Sequence, residues 1–308
     1  MEKEKSFFTK PFSKKDSEAG VREKFSPITV FMLVVLIIYS AILLGLLAWA
    51  LMTSFKDYYD FRLNKIGLPE EWVWNYSKVF NQFYVRISTS TGQEKVYMGQ
   101  MFVNAFLYSI GCAFCHTLVP CITAYACARF NFKFSQVIYT TVIITMVLPI
   151  VGSLPAEIQM AKSLGLFNQI WGLWIMKANF LGLYFLVFYG NFKAMPMAYT
   201  EAAQIDGASN FKVMTKIILP LQKNTFFTIM LIGFISYWND YQIPLVYLPS
   251  YPTIAQGMYE MASTTLNEMA RVPMRMTAAM LMLIPILVLF LIFNKRLMGN
   301  LTVGGIKG

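Results

Sequence analysis

Charged residues are scarce in this sequence. Asp, Glu, Lys and Arg make up 14% of the 308 residues, while 56% of the residues are hydrophobic. Soluble domains carry roughly 25% charged residues, so the shortage excludes a large soluble enzyme domain and predicts a membrane protein. The formal net charge is +10, but the Lys and Arg residues lie between long apolar runs. That placement fits membrane orientation better than a nucleic-acid partner.

Histidine and cysteine are also scarce. The one histidine and the four cysteines all lie within a single apolar run, at Cys112, Cys115, His116, Cys121 and Cys127. A disulfide scaffold would spread its cysteines through loops, so we expect reduced thiols. The run 112–116 matches the C-x-x-C-H pattern of c-type haem attachment, yet an apolar interior is not an accessible, exported segment. Because no fourth zinc ligand is evident, we expect no metal site, and we expect His116 to be hydrogen-bonded among helices.

Nucleotide-binding and catalytic signatures are missing as well. The run G-x-x-x-x-G-K-[ST], whose backbone amides cradle phosphates, occurs nowhere in the chain. No nucleophile stands at a convincing spacing from a general base. We therefore expect no catalytic residue and no cofactor bound by this chain.

Long apolar runs dominate what is present. The first is longer than the roughly 7–15 residues of a secretory signal core, so we expect it to remain as a helix. Each of the runs is long enough to cross a hydrocarbon core of ~30 Å. The predicted fold class is an all-α integral membrane protein with six transmembrane helices, at about 27–53, 102–127, 136–160, 170–192, 225–247 and 274–294.

The distribution of Lys and Arg predicts the orientation. These residues are denser in the N-terminal tail, the second-to-third and fourth-to-fifth connections and the C-terminus, and the richer side of a membrane protein is cytoplasmic. Both termini are then cytoplasmic. The predicted organisation is a cytoplasmic arm 1–26, a membrane domain 27–298 and a cytoplasmic tail 299–308, with external loops at about 54–101 and 247–273 and a cytoplasmic loop at about 193–224.

The most informative part of the cytoplasmic loop is the segment 201–220, which predicts two short helices. Glu201–Ala203 favours a first helix, and Gly207 can take the left-handed backbone that ends it. Ser209 is a suitable N-cap for a second helix, and Pro220 marks the approach to the next span.

An apolar stripe runs along the second predicted helix. Phe211, Met214, Ile217 and Ile218 fall on one face at helical spacing. Such a stripe is an exposed patch unless a partner covers it. The alternative is that it packs on the ends of the chain's own helices, which we expect in part for the C-terminal half.

A fixed pattern also runs through this loop: Glu-Ala-Ala, three residues, Gly, nine residues, Ile-x-Leu-Pro. It is carried by Glu201, Ala202, Ala203, Gly207, Ile217, Leu219 and Pro220, with Asp206 and Ala208 beside the glycine. The pattern resembles the EAA loop of binding-protein-dependent ABC importer permeases. Ser54–Lys56, Asn75–Tyr76 and Trp238–Asp240 extend the resemblance to nearly the whole chain. The chain is similar to the shorter membrane subunit of the carbohydrate-uptake family typified by the maltose transporter.

The resemblance implies a fold, partners and a mechanism. It implies a type I ABC importer permease fold in the bacterial cytoplasmic membrane, surrounded by lipids, and a subunit of a sugar importer that is not itself an enzyme. The partners would be a second permease subunit, a cytoplasmic ATPase dimer that binds ATP and Mg, and an extracytoplasmic sugar-binding protein. The loop would seat in a cleft of the ATPase, where Glu201 makes a polar contact and Gly207 sets the angle between the helices.

Two further contacts are implied by the resemblance. The external loop at about 247–273 resembles a segment that reaches towards the sugar cleft of the binding protein. The last residues, with Gly304, Gly305 and Lys307, resemble a tail that inserts between the ATPase subunits. A frayed terminus is the alternative.

A candidate for the substrate path lies in the fifth apolar segment. Trp238, Asn239, Asp240 and Tyr241 combine stacking surface with hydrogen-bonding groups, which sugar rings and hydroxyls require. An ionisable residue within a span usually faces a wet cavity or a partner. The alternative is that Asp240 is paired structurally near the outer boundary.

Two other functions are compatible with parts of the sequence. The same architecture imports polyols, glycerol phosphate and other small solutes, and the sequence does not distinguish among cargoes. A stand-alone secondary transporter would work without an ATPase and would need intramembrane charges for ion coupling. The EAA-like loop disfavours that second function.

Overall fold

The computed structural model describes residues 26–89, 92–130, 132–148, 152–263 and 268–301. They belong to two units, the first ending at Trp49 and the second beginning at Ala50. The elements in chain order are α1 (Pro27–Thr53), α2 (Tyr58–Leu63), α3 (Asn75–Gln82), β1 (Tyr84–Thr89), β2 (Gly92–Tyr97), α4 (Met98–Arg129), α5 (Ser135–Val147), α6 (Leu154–Ser163), α7 (Ile170–Lys177), α8 (Leu183–Ala194), α9 (Ala198–Ile205), α10 (Asn210–Val213), a π-helix (Met214–Ile218), α11 (Leu219–Leu221), α12 (Lys223–Asn239), α13 (Gln242–Tyr247), α14 (Ile254–Ser263), a 3-10 turn (Glu268–Ala270) and α15 (Val272–Leu301).

Three of the described helices are long and apolar enough to cross a membrane: α1, α4 and the part of α15 from Val272 to Phe293. They correspond to the first, second and sixth predicted segments. A fourth span is present if α10–α11 and α12, which meet at an angle of 72°, are counted as one. The described residues therefore contain three or four candidate spans by length and composition.

The third, fourth and fifth predicted segments each contain a break, so none of them is a single continuous helix in the structure. Helix α5 ends before Leu148, which is extended because the sequence continues with Pro149, and a proline disfavours the helical region for the residue before it. Gly182 precedes α8 with a φ of 124°, a region that favours glycine. Asp240 is extended between α12 and α13.

The described residues are predominantly helical, as predicted, but the first predicted external loop also contains a β-hairpin that the sequence analysis did not predict. Strands β1 and β2 pair antiparallel, with Val85 opposite Val96. Val85, Ile87 and Val96 are buried on one face, while the residues between them are more exposed. This alternation with a period of two is the signature of a half-buried strand, and β-branched residues favour it.

Helix α4 is the central scaffold of the second unit. It packs against α7, α8 and α12 and contributes buried residues to all three apolar clusters of the core. Met101 belongs to the first cluster, Tyr125 to the second and Tyr108 to the third. Because α4 has 32 residues, it is ~48 Å long. It begins directly after the hairpin, and its C-terminal part shares an apolar cluster with buried residues of the loop 201–220.

Polar contacts hold the first residues after α1 against α15. The Asn75 side-chain amide donates to the carbonyl oxygens of Ser54 and Lys56, both at 2.9 Å. The hydroxyls of Ser54 and Tyr76 are 2.8 Å apart, and Thr277 on α15 donates to the Ser54 carbonyl at 3.0 Å. The structure thus brings together Ser54–Lys56 and Asn75–Tyr76, two motifs that the sequence separates.

Candidate functional site

Helix α9 carries the Glu-Ala-Ala residues and ends in a Schellman turn. The amide of Ala208 donates to the Ala203 carbonyl at 2.9 Å, and the amide of Gly207 donates to the Gln204 carbonyl at 3.0 Å. Gly207 has a φ of 76°, which L side chains rarely adopt. A Cβ at Gly207 would meet no atom within 4 Å, so the backbone conformation, and not space, requires glycine. The predicted end of the first helix is confirmed.

Ser209 begins the second helix of the loop. Its hydroxyl accepts the amide of Lys212 at 3.4 Å, as a predicted N-cap should. Across the turn, the Gln204 amide group donates to the Asn210 side-chain oxygen at 2.9 Å. One α-helical turn then continues into the π-helix Met214–Ile218 and α11. The prediction of two short helices is confirmed.

The predicted apolar stripe holds only for its C-terminal half. Ile218 is buried in the core, and Met214 and Ile217 are half-buried against it. Phe211 is 71% exposed, and Val213 takes the buried position instead. Val213 and Ile218 share a face because the π-helix bonds residues i and i+5. Phe211 therefore stays exposed, and the expected packing of the C-terminal half of the stripe on the chain's own helices is confirmed.

An exposed patch on this loop, hereafter the loop surface, consists of Glu201, Ile205, Asp206 and Phe211. Ile205 is 86% exposed and Phe211 is 71% exposed, with the two carboxylates also exposed near them in sequence. Large apolar side chains at a polar surface mark a contact with a partner. Of the other predicted loop residues, Ala202 and Pro220 are exposed, Ala208, Ile217 and Leu219 are half-buried, and Ala203 is buried.

Arg129, the last residue of α4, holds the start of the loop. Its guanidinium donates through Nη2 to the Met195 carbonyl at 3.1 Å and through Nη1 to the Met197 sulfur at 2.6 Å. At the other end of the loop, the Gln222 side chain contacts the Met195 sulfur at 3.4 Å and accepts from Asn191 at 3.3 Å. Side chains at both ends of the loop therefore contact Met195.

We expect an Arg129→Ala variant to loosen α9. A hydrogen bond from a charged donor contributes about 1.5–3 kcal/mol, so amide hydrogen exchange at Thr200 and Glu201, whose amides both donate to the Met197 carbonyl, should accelerate about tenfold or more. Lys133→Ala is the control, because Lys133 is exposed nearby in sequence and should leave exchange unchanged. Equal exchange in wild type and Arg129→Ala would show that Arg129 does not hold the loop.

The four residues predicted for the substrate path do not share one environment. Trp238 is fully buried, and its indole N–H donates to the Met282 carbonyl at 3.1 Å. Asp240 accepts the Tyr108 hydroxyl at 2.9 Å. Asn239 is exposed, with its amide group donating to the backbone of its own helix. Tyr241 is half-buried. Trp238 and Asp240 are therefore held by other parts of the chain. Tyr241 stacks on Tyr259 with ring centroids 4.6 Å apart, but Asn239 and Tyr241 keep exposed surface.

Asp240 also caps α13, so we expect its replacement to destabilise the protein. One carboxylate oxygen accepts the amides of Gln242 and Ile243 at 2.9 and 3.2 Å. Asp240→Ala removes this cap, at ~1 kcal/mol, and leaves the buried Tyr108 hydroxyl without its acceptor, at about 1–3 kcal/mol. The midpoint of thermal unfolding, followed with a dye that reacts with exposed thiols, should fall by several degrees.

Asn239→Ala is the matched control for this variant. It changes the neighbouring polar residue, which is exposed, and should leave the midpoint of unfolding nearly unchanged. An unchanged midpoint for Asp240→Ala would show that the carboxylate is not structural.

The predicted external segment 247–273 packs beside the hairpin. A cavity of about 580 Å³ opens between them, with Tyr84, Arg86, Glu260 and Glu268 among its lining residues. Burial raises the pKa of Glu260, whereas a hydrogen bond from Lys78 lowers the pKa of Glu268. This part of the molecule is thus polar and open, unlike the core beneath it.

The four cysteines and the histidine all lie on the apolar helix α4. Cys112, Cys121 and Cys127 are buried free thiols, and Cys115 is half-buried. The His116 ring lies 2.9 Å from the Tyr237 hydroxyl, which confirms the predicted hydrogen bond among helices. Within the described ranges, no group of three or more His, Cys, Asp or Glu side chains is arranged to hold a metal ion.

The predicted tail contact, with Gly304, Gly305 and Lys307, lies outside the described residues, as does most of the arm 1–26.

Comparison with known proteins decides the family. Residues 117–301, more than half of the chain, match the family described as the inner membrane component of binding-protein-dependent transport systems. The chain belongs to this family. The matched residues include the loop 201–220 and the C-terminal part of α4 that holds it. As a transport-system membrane component, the chain is a transporter subunit and not itself an enzyme.

Individual family members resemble the chain over most of its length. The diacetylchitobiose uptake system permease protein NgcG of Streptomyces coelicolor is 23% identical over 273 residues, which cover 87% of this chain and 86% of NgcG. The galactooligosaccharides transport system permease protein GanQ of Bacillus subtilis is 28% identical over 220 residues, which cover 70% of this chain and 77% of GanQ.

A solved structure agrees in fold. One chain of a bacterial ABC transporter involved in the import of the acidic polysaccharide alginate matches with a TM-score of 0.71 and 19% identity, over 87% of this chain and 95% of that chain. At this identity the likeness concerns the fold alone. It supports the predicted ABC permease fold.

Proposed function

We propose that the chain is a membrane-spanning subunit of an ATP-driven carbohydrate importer and that its loop surface docks on the ATPase. The observation that carries this proposal is the exposure of Ile205 and Phe211 beside Glu201. The Schellman turn at Gly207 and the contacts of Arg129 hold the backbone that carries these side chains. A loop held in this way can pass a domain movement from the ATPase to the spans.

The proposed cargo is a sugar or oligosaccharide. The names of the relatives support this class: one belongs to a diacetylchitobiose uptake system and another to a galactooligosaccharide transport system. Both similarities extend over two thirds or more of the chain.

The proposed topology has six spans with both termini in the cytoplasm of a bacterium. Helices α5 and α6 would form one broken span, and α7 and α8 another, because α5 with 13 residues is ~20 Å long and cannot cross ~30 Å of hydrocarbon alone. Breaks within membrane-spanning helices are tolerated where protein or a polar path covers the freed backbone groups. The spans α1, α4, α12–α13 and α15 complete the set.

In the proposed assembly, separate chains form the path, hydrolyse ATP and deliver the sugar. A second permease subunit supplies the other half of the path, and an ATPase dimer binds ATP and Mg in the cytoplasm. An extracytoplasmic binding protein delivers the sugar. The tail with Gly304, Gly305 and Lys307 adds a second contact to the ATPase. Within this chain, Asn239 and Tyr241 are the proposed path residues, while Trp238 and Asp240 hold the end of α12 in place.

Reconstitution tests this proposal. The chain would be purified with the proposed second permease and ATPase and placed in lipid vesicles containing ATP and Mg, with the proposed binding protein on the opposite face. We expect uptake of labelled oligosaccharide that requires every component. Uptake by the chain alone, without the ATPase, would contradict the proposal and favour a secondary transporter.

A further inference from the structure

Helix α12 carries a polar face along much of its length. Thr228, Ile232, Ser236 and Asn239 follow one another at spacings of four, four and three residues, which places them on one side of a helix. Ile232, Ser236 and Asn239 are exposed, and Thr228 is half-buried. These four residues are hereafter the α12 face. Three of them are polar, although α12 belongs to a candidate membrane span.

The outer side of α15 differs from the α12 face. Every exposed residue of α15 from position 284 to 292 is apolar: Ile284, Leu287, Val288, Phe290, Leu291 and Ile292. A surface of that kind suits lipid. A polar group that faces hydrocarbon without a partner costs free energy, so polar residues in a span usually face water, a solute or another protein segment. The α12 face therefore indicates a polar environment.

The polar groups of the α12 face offer acceptors to their surroundings. The hydroxyls of Thr228 and Ser236 each donate to the carbonyl oxygen four residues earlier in the helix, at 2.8 and 2.9 Å. The Asn239 amide group donates in the same way at 2.8 Å. A hydroxyl has a single proton to donate, and in the described part of the chain no group donates to these three side-chain oxygens. Both hydroxyls can therefore only accept a bond from outside the helix.

An acceptor face of this kind matches a neutral, hydroxylated solute. Sugar hydroxyls can donate to it, whereas ionised carboxylates and phosphates only accept hydrogen bonds. No residue of the α12 face is ionisable, so the face has no cation to bind an anion. The carboxylate of Asp240, next in the chain, adds negative charge that repels one.

An aromatic surface follows the α12 face in the chain. Tyr241, two residues after Asn239, stacks on Tyr259 with an angle of 13° between the rings. Each ring therefore has one face covered by the other, and Tyr259 remains 43% exposed. The face of an aromatic ring carries negative charge and attracts the C–H groups of a sugar ring. This surface is also uncharged.

We propose that the α12 face lines the translocation path and accepts hydrogen bonds from the hydroxyls of a neutral saccharide, and that it disfavours acidic or phosphorylated sugars. This inference rests on the proposed function, because it names the class of cargo that this chain's part of the path admits. It separates neutral sugars from glycerol phosphate, which the sequence left open.

Thiol labelling tests whether the α12 face meets water. An Ile232→Cys variant would be assembled with the proposed second permease and ATPase in lipid discs and treated with a cationic, water-soluble methanethiosulfonate reagent. We expect it to react at least about tenfold faster than Leu287→Cys on α15, because a thiol in apolar surroundings rarely ionises. Ile232 and Leu287 are 45% and 44% exposed, which makes them a matched pair. The wild-type complex gives the background from the native thiols.

Protection by saccharides tests the selectivity of the face. Raffinose, a neutral trisaccharide, should slow the labelling of Ile232→Cys severalfold, and trigalacturonate, an acidic trisaccharide, should leave it unchanged. Adding Ser236→Ala and Asn239→Leu removes two acceptors and should raise the raffinose concentration for half-protection about tenfold or more. Ser163→Ala is the control, because Ser163 is exposed on α6 and its hydroxyl also bonds to its own helix; it should leave protection unchanged.

Contrary results are distinguishable from failure of the proposed function. A wild-type importer that takes up no oligosaccharide in the reconstitution would contradict the function itself. With normal uptake, labelling of Ile232→Cys as slow as that of Leu287→Cys would assign the α12 face to lipid or to a subunit interface and would overturn the inference alone. The inference would also be overturned by absent protection by raffinose, by equal protection by trigalacturonate, or by unchanged protection after both acceptors are removed.

Discussion

Gly207→Val should abolish most substrate-stimulated ATP hydrolysis while the protein still reaches the membrane. Gly207 has a φ of 76°, which costs an L residue roughly 1–2 kcal/mol and a β-branched residue more. Valine will therefore favour another backbone conformation, and the bonds from the Gly207 and Ala208 amides that close the turn will be lost. The angle between α9 and α10 then changes, and Ile205 and Phe211 no longer present one surface. We expect a fall of at least about tenfold in the ratio of stimulated to basal hydrolysis.

The chain offers a closely matched control for this variant. Gly165 has a φ of 69°, and a Cβ there would also meet no atom within 4 Å. Gly165→Val should carry the same backbone cost outside the loop and should reduce stability without reducing coupling. Gly207→Asn should keep most of the coupling, because asparagine tolerates the left-handed region. Full coupling in Gly207→Val, or equal loss in Gly165→Val, would show that the turn does not transmit the movement.

Glu201→Lys should reduce stimulated ATP hydrolysis and uptake by at least about tenfold without unfolding the protein. Glu201 is exposed in the first turn of α9, where its favourable interaction with the helix dipole contributes only ~0.3–1 kcal/mol. A carboxylate that makes a buried polar contact with a partner contributes more, since removing one member of such a pair costs about 2–5 kcal/mol. Lysine both removes the contact and adds a repulsive charge. The measurement is the rate of ATP hydrolysis in the reconstituted importer.

Glu71→Lys is the control for this prediction. Glu71 is also exposed, lies in the predicted external loop and should leave hydrolysis unchanged. Glu201→Gln, which keeps the shape of the side chain, should show an intermediate loss. A wild-type rate of ATP hydrolysis in Glu201→Lys would show that this carboxylate is not part of the coupling contact.

The loop was predictable because its signals are local. Gly207 and Ser209 act on their own backbone and on residues within five positions, through the helix end and the N-cap. The π-helix was not predictable from spacing, and with it Val213, which was not part of the predicted stripe, takes the buried position beside Ile218. Pro149 and Gly182 mark the breaks before α6 and α8. Hydropathy averaged over a long window detects an apolar run but does not detect the effect of single residues on the backbone.

Contacts between distant residues could not be predicted. Arg129 holds Met195 and Met197 across separations of 66 and 68 residues, and the only signal in the sequence is a basic residue in the last turn of a helix. The polarity of Trp238–Tyr241 suggested a solvent-facing group. It did not show that Tyr108 and Met282 would satisfy two of these side chains. The hairpin was missed for a different reason: its alternating pattern is short and lies in a loop between long apolar runs.

Site-specific cross-linking tests the central claim most directly. A photoreactive amino acid would replace Ile205 or Phe211 in the assembled importer, and Tyr259, which is 43% exposed in the other predicted loop, would carry the same probe as a control. We predict that the probes at positions 205 and 211 cross-link to the ATPase subunit, with a yield that changes when ATP is added, and that the probe at position 259 does not. No cross-link to the ATPase from position 205 or 211, or an equal yield from position 259, would contradict the assignment of the loop surface as the coupling contact.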